Sequence, residues 1–317
     1  MVHRQNVRSS VNRPCSDCCT KEDPHLKSIY RSPESQAAIE ALYDRQVAKL
    51  PFPVESRYVE TRYGRTHLLL AGPREAPPLV VFHGGNDTNP STLGWIAPLA
   101  REFGIIAPDT IGHPGRSAPV RLPPGGLSYG TWVSDLMEGL KLNSAAMMGG
   151  SYGAGILLNA MVCIPERIEK AVLFIPSGFV SMPARVMWGG FILPLIRYTL
   201  APNDRNLEGL LRPIFGKYPV DPEVVESSRM TFQHVRIEPN MPKNVSRQEL
   251  ERCRAPVLVL PGESDLLFPA QDVIRRAKEV IPNLAAAEAI PDTPHYLTPP
   301  AREWLCARVE RFVSGGG

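Results

Sequence analysis

An excess of charge of either sign is what this chain of 317 residues most plainly lacks, with 35 Lys and Arg against 32 Asp and Glu and a formal charge of only +3. So even a balance excludes a dedicated nucleic-acid surface. Long apolar runs are missing as well. The best, residues 189–196, is interrupted by Pro194 and followed by Arg197, well short of the ~18 residues a membrane-spanning helix needs. Cysteine is sparse, six in all: Cys15, Cys18 and Cys19 form one cluster, and Cys163, Cys253 and Cys306 are scattered singles. That spacing implies no disulfide framework and suits a reducing cytoplasm. The opening MVHRQNVRSSVNRP lacks the apolar core of a secretory signal. Rich in Arg and Ser, with no acid before Asp17, it reads as a flexible tail, with a transit peptide as the weaker alternative. The cysteine cluster could hold zinc only with a fourth ligand, for which His25 is the neighbouring candidate, and a disordered tail is the simpler reading. No metal is expected.

Apolar residues make up 43% of the chain and charged ones 21%, enough apolar surface for a large core. After Ser32-Pro33, residues Ile39, Leu42, Tyr43, Val47 and Leu50 recur at helical spacing. Residues 56–61 and 65–71 flank Tyr63-Gly64 and read as a hairpin. Four short apolar runs follow, at 79–82, 104–107, 145–148 and 171–175, each trailed by a loop and a helical segment such as 129–142 or 155–164. Continuous apolar character marks strands buried on both faces, so the rhythm predicts a parallel sheet with helices on both sides. Residues 177–245 break that rhythm with Pro-punctuated helical pieces and read as an insertion. Strands return at 255–260 and 285–290, and a helix closes the chain at 300–313.

Gly149-Gly150-Ser151-Tyr152-Gly153 lies between a strand and a helix. A sharp strand-to-helix turn needs neighbours without Cβ and leaves the serine hydroxyl exposed, so Ser151 is the candidate nucleophile and a helix-capping serine the alternative. Phe82-His83-Gly84-Gly85-Asn86 follows another strand, where the Gly85 N–H, with Tyr152 N–H, can face a developing oxyanion; Asn86 is the neighbour that could replace Gly85. His83 is read as part of its loop's own hydrogen bonding. In the chain order of such elbows the base comes last, and His295, in Asp292-Thr293-Pro294-His295, is the histidine beyond the penultimate strand. Two carboxylates compete for the acid in Gly262-Glu263-Ser264-Asp265; Asp265 is preferred, with Glu263 as a brace of the loop. Asp109 and Ser117 are read as holding the loop that follows residues 104–107, in which His113 is a possible substrate contact.

Together, Ser32-Pro33-Glu34, His83-Gly84-Gly85, Pro108-Asp109-Thr110-Ile111-Gly112, the Ser151 elbow, Gly262-Glu263-Ser264-Asp265 and His295 give a chain that resembles the α/β-hydrolase superfamily. Within it, the pattern is similar to bacterial serine carboxylesterases with an N-terminal helix, over residues 32–314. The resemblance implies the α/β-hydrolase fold, an eight-stranded, mostly parallel sheet with a helical cap inserted after the sixth strand. The division is then a 1–31 extension, core residues 32–176, cap 177–245 and core 246–317. It places nucleophile, acid and base on Ser151, Asp265 and His295, and implies hydrolysis of a small-molecule ester without metal or organic cofactor. Pro294-His295 stands where many relatives have Gly-His, and the first 30 residues carry no resemblance. Asn86, Met187, Trp188 and Phe191 are candidate substrate contacts, with ordinary cap packing as the alternative for the last three. Lactone, amide or C–C hydrolysis, perhydrolysis, and a ligand-binding receptor of the same fold are the competing readings, because a fold and a triad do not fix a substrate. Monomer and homodimer are both compatible.

Overall fold

A computed structural model describes residues 28–315. The readings of the cysteine cluster, His25 and the first 27 residues lie outside that range. Ser32 caps helix α1 (Pro33–Val47), its hydroxyl accepting the Ser35 N–H at 3.2 Å, with Pro33 in the first turn where no amide donor is needed. Strands β1 (Glu55–Thr61) and β2 (Gly64–Ala71) form the expected hairpin, and Gly64 takes the left-handed φ of +108° that the tight turn requires.

The remaining strands are β3 (Pro78–Phe82), β4 (Gly104–Pro108), β5 (Ala145–Gly150), β6 (Ile168–Phe174), β7 (Val257–Leu260) and β8 (Leu284–Ala287). They make one eight-stranded sheet in the order β1-β2-β4-β3-β5-β6-β7-β8, antiparallel at β1–β2 and β2–β4 and parallel elsewhere. Alternation explains the continuous apolar runs. Val80, Phe82, Met147 and Val259 face one core, and Leu79, Val81, Met148 and Leu258 face the other. Helices α2 (Asn89–Trp95), α3 (Ser128–Gly139) and α4 (Tyr152–Cys163) follow β3, β4 and β5. Between β6 and β7 a π-helical stretch, Val186–Ile192, runs into α5 (Leu193–Leu200), followed by α6 (Asp204–Phe215), α7 (Pro222–His234) and α8 (Arg247–Leu250). Helices α9 (Ala270–Val280) and α10 (Pro299–Val313) follow β7 and β8. Trp132, Ile156 and Val273 of α3, α4 and α9 cover one face of the sheet, and Tyr43, Leu93 and Leu305 of α1, α2 and α10 cover the other. Helices α5 to α7 pack around their own cluster of Tyr198, Leu207, Leu211, Phe215 and Val225, which Tyr296 joins. None of the described helices is long and apolar enough to cross a membrane.

Several boundaries differ from those read in the sequence, among them the end of α3 at Gly139 and the start of β7 at Val257, and three show why. β6 starts at Ile168, which pairs with Ala145, because an exposed Glu169 and a half-buried Lys170 disguise its first turn of pairing. β8 stops at Ala287, leaving Ile290 as an isolated bridge to Gly262. Helix α4 begins at Tyr152, three residues early, since Gly153 and Gly155 lower helix propensity there without preventing the helix.

Candidate active site

A single residue separates β5 from α4, and that residue is Ser151, with φ 50° and ψ −115°. Both flanking glycines are sterically required. A Cβ on Gly149 would lie 2.3 Å from the Gly153 carbonyl oxygen, and one on Gly153 would lie 2.3 Å from the Phe82 carbonyl oxygen. The strained serine is pinned through its main chain: its N–H donates to Phe174 O at 3.2 Å, and its carbonyl accepts the fully buried Ser177 hydroxyl at 2.9 Å.

Ser151 Oγ lies 2.8 Å from His295 Nε2, and His295 Nδ1 lies 2.8 Å from Asp265 Oδ2. The other oxygen of Asp265 accepts the Leu267 and Phe268 N–H groups at 2.8 and 3.2 Å. A carboxylate can only accept, so His295 Nδ1 donates to it and Nε2 is left to accept the Ser151 hydroxyl. Asp265 and His295 are 4% and 8% exposed, so this chain of bonds is shielded from water except at the serine. Such an arrangement can draw a proton from Oγ and stabilise the imidazolium that results.

The acid and base loops are fastened together. Ser264 N–H donates to Thr293 O at 2.9 Å, and Glu263 accepts the Asp292 N–H at 2.7 Å. Glu263 is therefore a brace, exposed, of the loop that carries His295. Asp292 is tied in turn to Lys217 and to the Tyr218 hydroxyl, which hold its carboxyl below the usual range and join this loop to the α6–α7 turn.

Residues 79–308, most of this framework, match the family model described as the alpha/beta hydrolase family. The chain belongs to that family. The hydrolase is 28% identical over 284 residues to carboxylesterase YbfK of Bacillus subtilis, an alignment covering 86% of this chain and 93% of the relative. It is 25% identical over 303 residues to the uncharacterized carboxylesterase nap of the same organism, covering 92% and 97%. The crystal structure of naproxen esterase from Bacillus subtilis superposes with a TM-score of 0.75 at 25% identity, covering 89% of this chain and 99% of that one.

In this hydrolase the loop after β3 lies against the elbow. A Cβ on Gly85 would sit 3.0 to 3.2 Å from Tyr152 side-chain atoms, so the two residues proposed to supply N–H donors are neighbours. Neither the Gly85 N–H nor that of Tyr152, at the first position of α4, has a protein acceptor among the described residues. The Asn86 N–H is already taken by His113 Nδ1 at 2.9 Å, so of the two candidates in that loop Gly85 is the one whose N–H is not engaged among the described residues. His83 serves its own surroundings, donating from Nδ1 to Gly84 O at 2.8 Å and accepting the Thr110 N–H at Nε2 at 2.9 Å. Asp109, fully buried, accepts from His67, the Tyr43 hydroxyl and the Arg116 N–H, and Ser117 bonds its carbonyl, so both hold the loop after β4.

The candidate substrate contacts separate. The Asn86 side chain is engaged by the main chain of Glu238, donating to its carbonyl and accepting its N–H at 2.9 and 2.8 Å. Phe191 packs, half-buried, against the clusters that contain Tyr152 and Tyr296. Met187 and Trp188 are open to solvent, Trp188 at 60%. His113, read as a possible substrate contact, is 2% exposed. A surface cleft of about 730 Å³ is lined by Tyr218, Asp292, Tyr296, Arg302 and Trp304 and includes none of Ser151, Asp265 and His295. Ser177 and Glu238 escaped sequence reasoning. Pro176-Ser177-Gly178 at a strand end was a turn signal for the first, whereas nothing local marks Glu238 as a partner of a residue 152 positions away. No group of three His, Cys, Asp or Glu side chains among the described residues is placed to hold a metal ion.

Proposed function

We propose that this hydrolase cleaves small-molecule carboxylic esters through an acyl-enzyme on Ser151. The observation that carries the reading is the unbroken path from Ser151 Oγ through His295 to Asp265, each link 2.8 Å long. Likeness to two carboxylesterases over 86% and 92% of the chain supports the ester as substrate class.

As Oγ attacks the ester carbonyl, His295 Nε2 takes its proton and Asp265 stabilises the imidazolium without accepting a proton itself. The Gly85 and Tyr152 N–H groups bond the oxyanion of the tetrahedral intermediate. Collapse expels the alcohol, which leaves with the proton from His295. Water, deprotonated by the same imidazole, then attacks the acyl-enzyme and releases the acid, and Ser151 recovers its proton. Residues 177–245 act as a cap: their helices share a packed cluster with Tyr296, the neighbour of His295. A cap of that size suits short and medium acyl chains better than very long ones.

Ser151→Ala tests the reading. It removes the covalent step and little packing, so esterase activity should fall by about 10⁴-fold or more with the fold retained. A fluorophosphonate probe should label Ser151 in the parent, as peptide mapping would show. Activity within tenfold of the parent in the alanine variant would overturn the assignment.

A further inference from the structure

Gly85 has the freedom of glycine on both of its backbone dihedrals, so the direction of its N–H needs an external restraint. Two peptide planes meet at this residue, and each is held by an imidazole. In the first, His83 Nδ1 donates to Gly84 O at 2.8 Å; because a trans peptide is planar, fixing that carbonyl points the Gly85 N–H the opposite way. In the second, the Asn86 N–H donates to His113 Nδ1 at 2.9 Å.

The exchange is reciprocal. His83, on the loop after β3, accepts the Thr110 N–H of the loop after β4, while His113, on the loop after β4, accepts the Asn86 N–H of the loop after β3. The rings stand edge to face with centroids 6.2 Å apart. Asn86 itself sits at φ 54°, a left-handed conformation, with its side chain bonded both ways to the Glu238 main chain. Arg121 fastens that segment by bonding the carbonyls of Arg236 and Ile237.

A main-chain N–H can only donate, so His113 Nδ1 must be an unprotonated acceptor and its proton must reside on Nε2. That nitrogen is buried and has no partner among the described residues. A ring that served only to fill space next to Tyr152, 4.6 Å away between centroids, would be better supplied by a phenyl group without an orphaned donor. Burial, with His83 and Arg121 nearby, keeps His113 neutral by pushing its pKa well down, and burial likewise lowers that of His83.

We infer that His113 is a positioning residue for ester hydrolysis: through the Asn86 amide it fixes the peptide plane beside Gly85 and so aims the Gly85 N–H at the oxyanion. The inference rests on the oxyanion site proposed above. It assigns His113 to the transition state by way of Asn86, with no contact to the substrate.

Asparagine and leucine separate the acceptor from the volume. The amide oxygen of His113→Asn can take the place of Nδ1, whereas His113→Leu keeps apolar bulk and removes the acceptor. Loss of a complete oxyanion donor lowers kcat by roughly 10² to 10³, so misalignment of one should lower it by about 10 to 100-fold. His113→Leu should show that fall with KM within about threefold, and a phenylboronic acid, whose tetrahedral adduct resembles the intermediate, should bind correspondingly more weakly. His113→Asn should recover kcat to within about fivefold of the parent. Folded His113→Leu with kcat within threefold of the parent would overturn the inference. If the leucine variant does not fold, His113→Asn and His113→Gln decide, because the longer amide places its oxygen nearer the Nε2 position; equal kcat in the two would also refute it. Ser151→Ala in parallel keeps the two readings apart. An active alanine variant would remove the oxyanion site itself, whereas an inactive one beside an active leucine variant would remove only the role of His113.

Discussion

Replacing Asp265 by asparagine should do more than remove a charge, because the surroundings dictate which way the new amide lies. One carboxylate oxygen accepts two main-chain N–H groups, from Leu267 at 2.8 Å and Phe268 at 3.2 Å, and the other faces His295 Nδ1 at 2.8 Å. An asparagine must keep its single oxygen on the two donors, so its NH₂ group turns to His295. Nδ1 then has to accept, the ring proton moves to Nε2, and the nitrogen 2.8 Å from Ser151 Oγ can no longer take the hydroxyl proton. Two losses combine, the wrong tautomer and the uncompensated imidazolium, and together they lower kcat by about 10⁴, or about 5 kcal/mol of barrier. KM should change by less than about threefold, because the lost interaction grows during reaction. Steady-state hydrolysis of p-nitrophenyl butyrate measures both constants, and far-UV circular dichroism checks the fold. Glu263→Gln is the control. Glu263 is exposed and, among the described residues, bonds only the Asp292 N–H through its side chain, a contact an amide oxygen can keep, so kcat should stay within tenfold. A tenfold or smaller effect in Asp265→Asn, or the large defect in Glu263→Gln instead, would refute this reasoning.

Gly153→Ala should destabilise the protein by more than about 3 kcal/mol or prevent folding, since its Cβ would stand 2.3 Å from a main-chain oxygen that cannot yield. Gly84→Ala, with nothing within 4 Å of the added carbon, should change the melting temperature little; comparable shifts in the two would contradict the steric argument. Glu249 closes a capping box with Ser246 and pairs with Lys243, and these contacts lower its pKa from the ordinary 4.5 to about 2. A depressed folded pKa adds stability that is complete above about pH 5 and lost as pH falls toward 2, so Glu249→Gln should flatten the decline of Tm over that interval. Identical slopes in parent and variant would count against it.

The fold was legible where burial is two-sided. Runs such as Leu79 to Val81 or Ala145 to Met148 carry an unbroken apolar signal because alternate residues meet different cores. It was less legible at boundaries set by pairing, as at Ile168, where polar residues complete a strand whose partner lies elsewhere. That Ser151, Asp265 and His295 would be brought together could be read from chain order and turn chemistry, because each lies in a loop beyond a strand. What surrounds them was hidden: the His113 acceptor and the Asn86–Glu238 pairing arise from contacts across 27 and 152 positions, and no local pattern encodes them. The exposure of Trp188 was equally hidden, because an apolar residue in a helical segment looks the same whether it faces core or solvent.

The jammed contact between Gly153 and Phe82 has a thermodynamic consequence. The first turn of α4 and the end of β3 touch through main-chain atoms, so no rotamer change on either element can alter their spacing. The two amides proposed to receive the oxyanion are mounted on these same elements, one just after β3 and one at the head of α4. In water, solvent dipoles must reorient around each new negative charge as the barrier is climbed. On that proposal the dipoles are already oriented when the ester arrives, and the reorganisation that water repeats at every turnover has been completed once, as the chain folded.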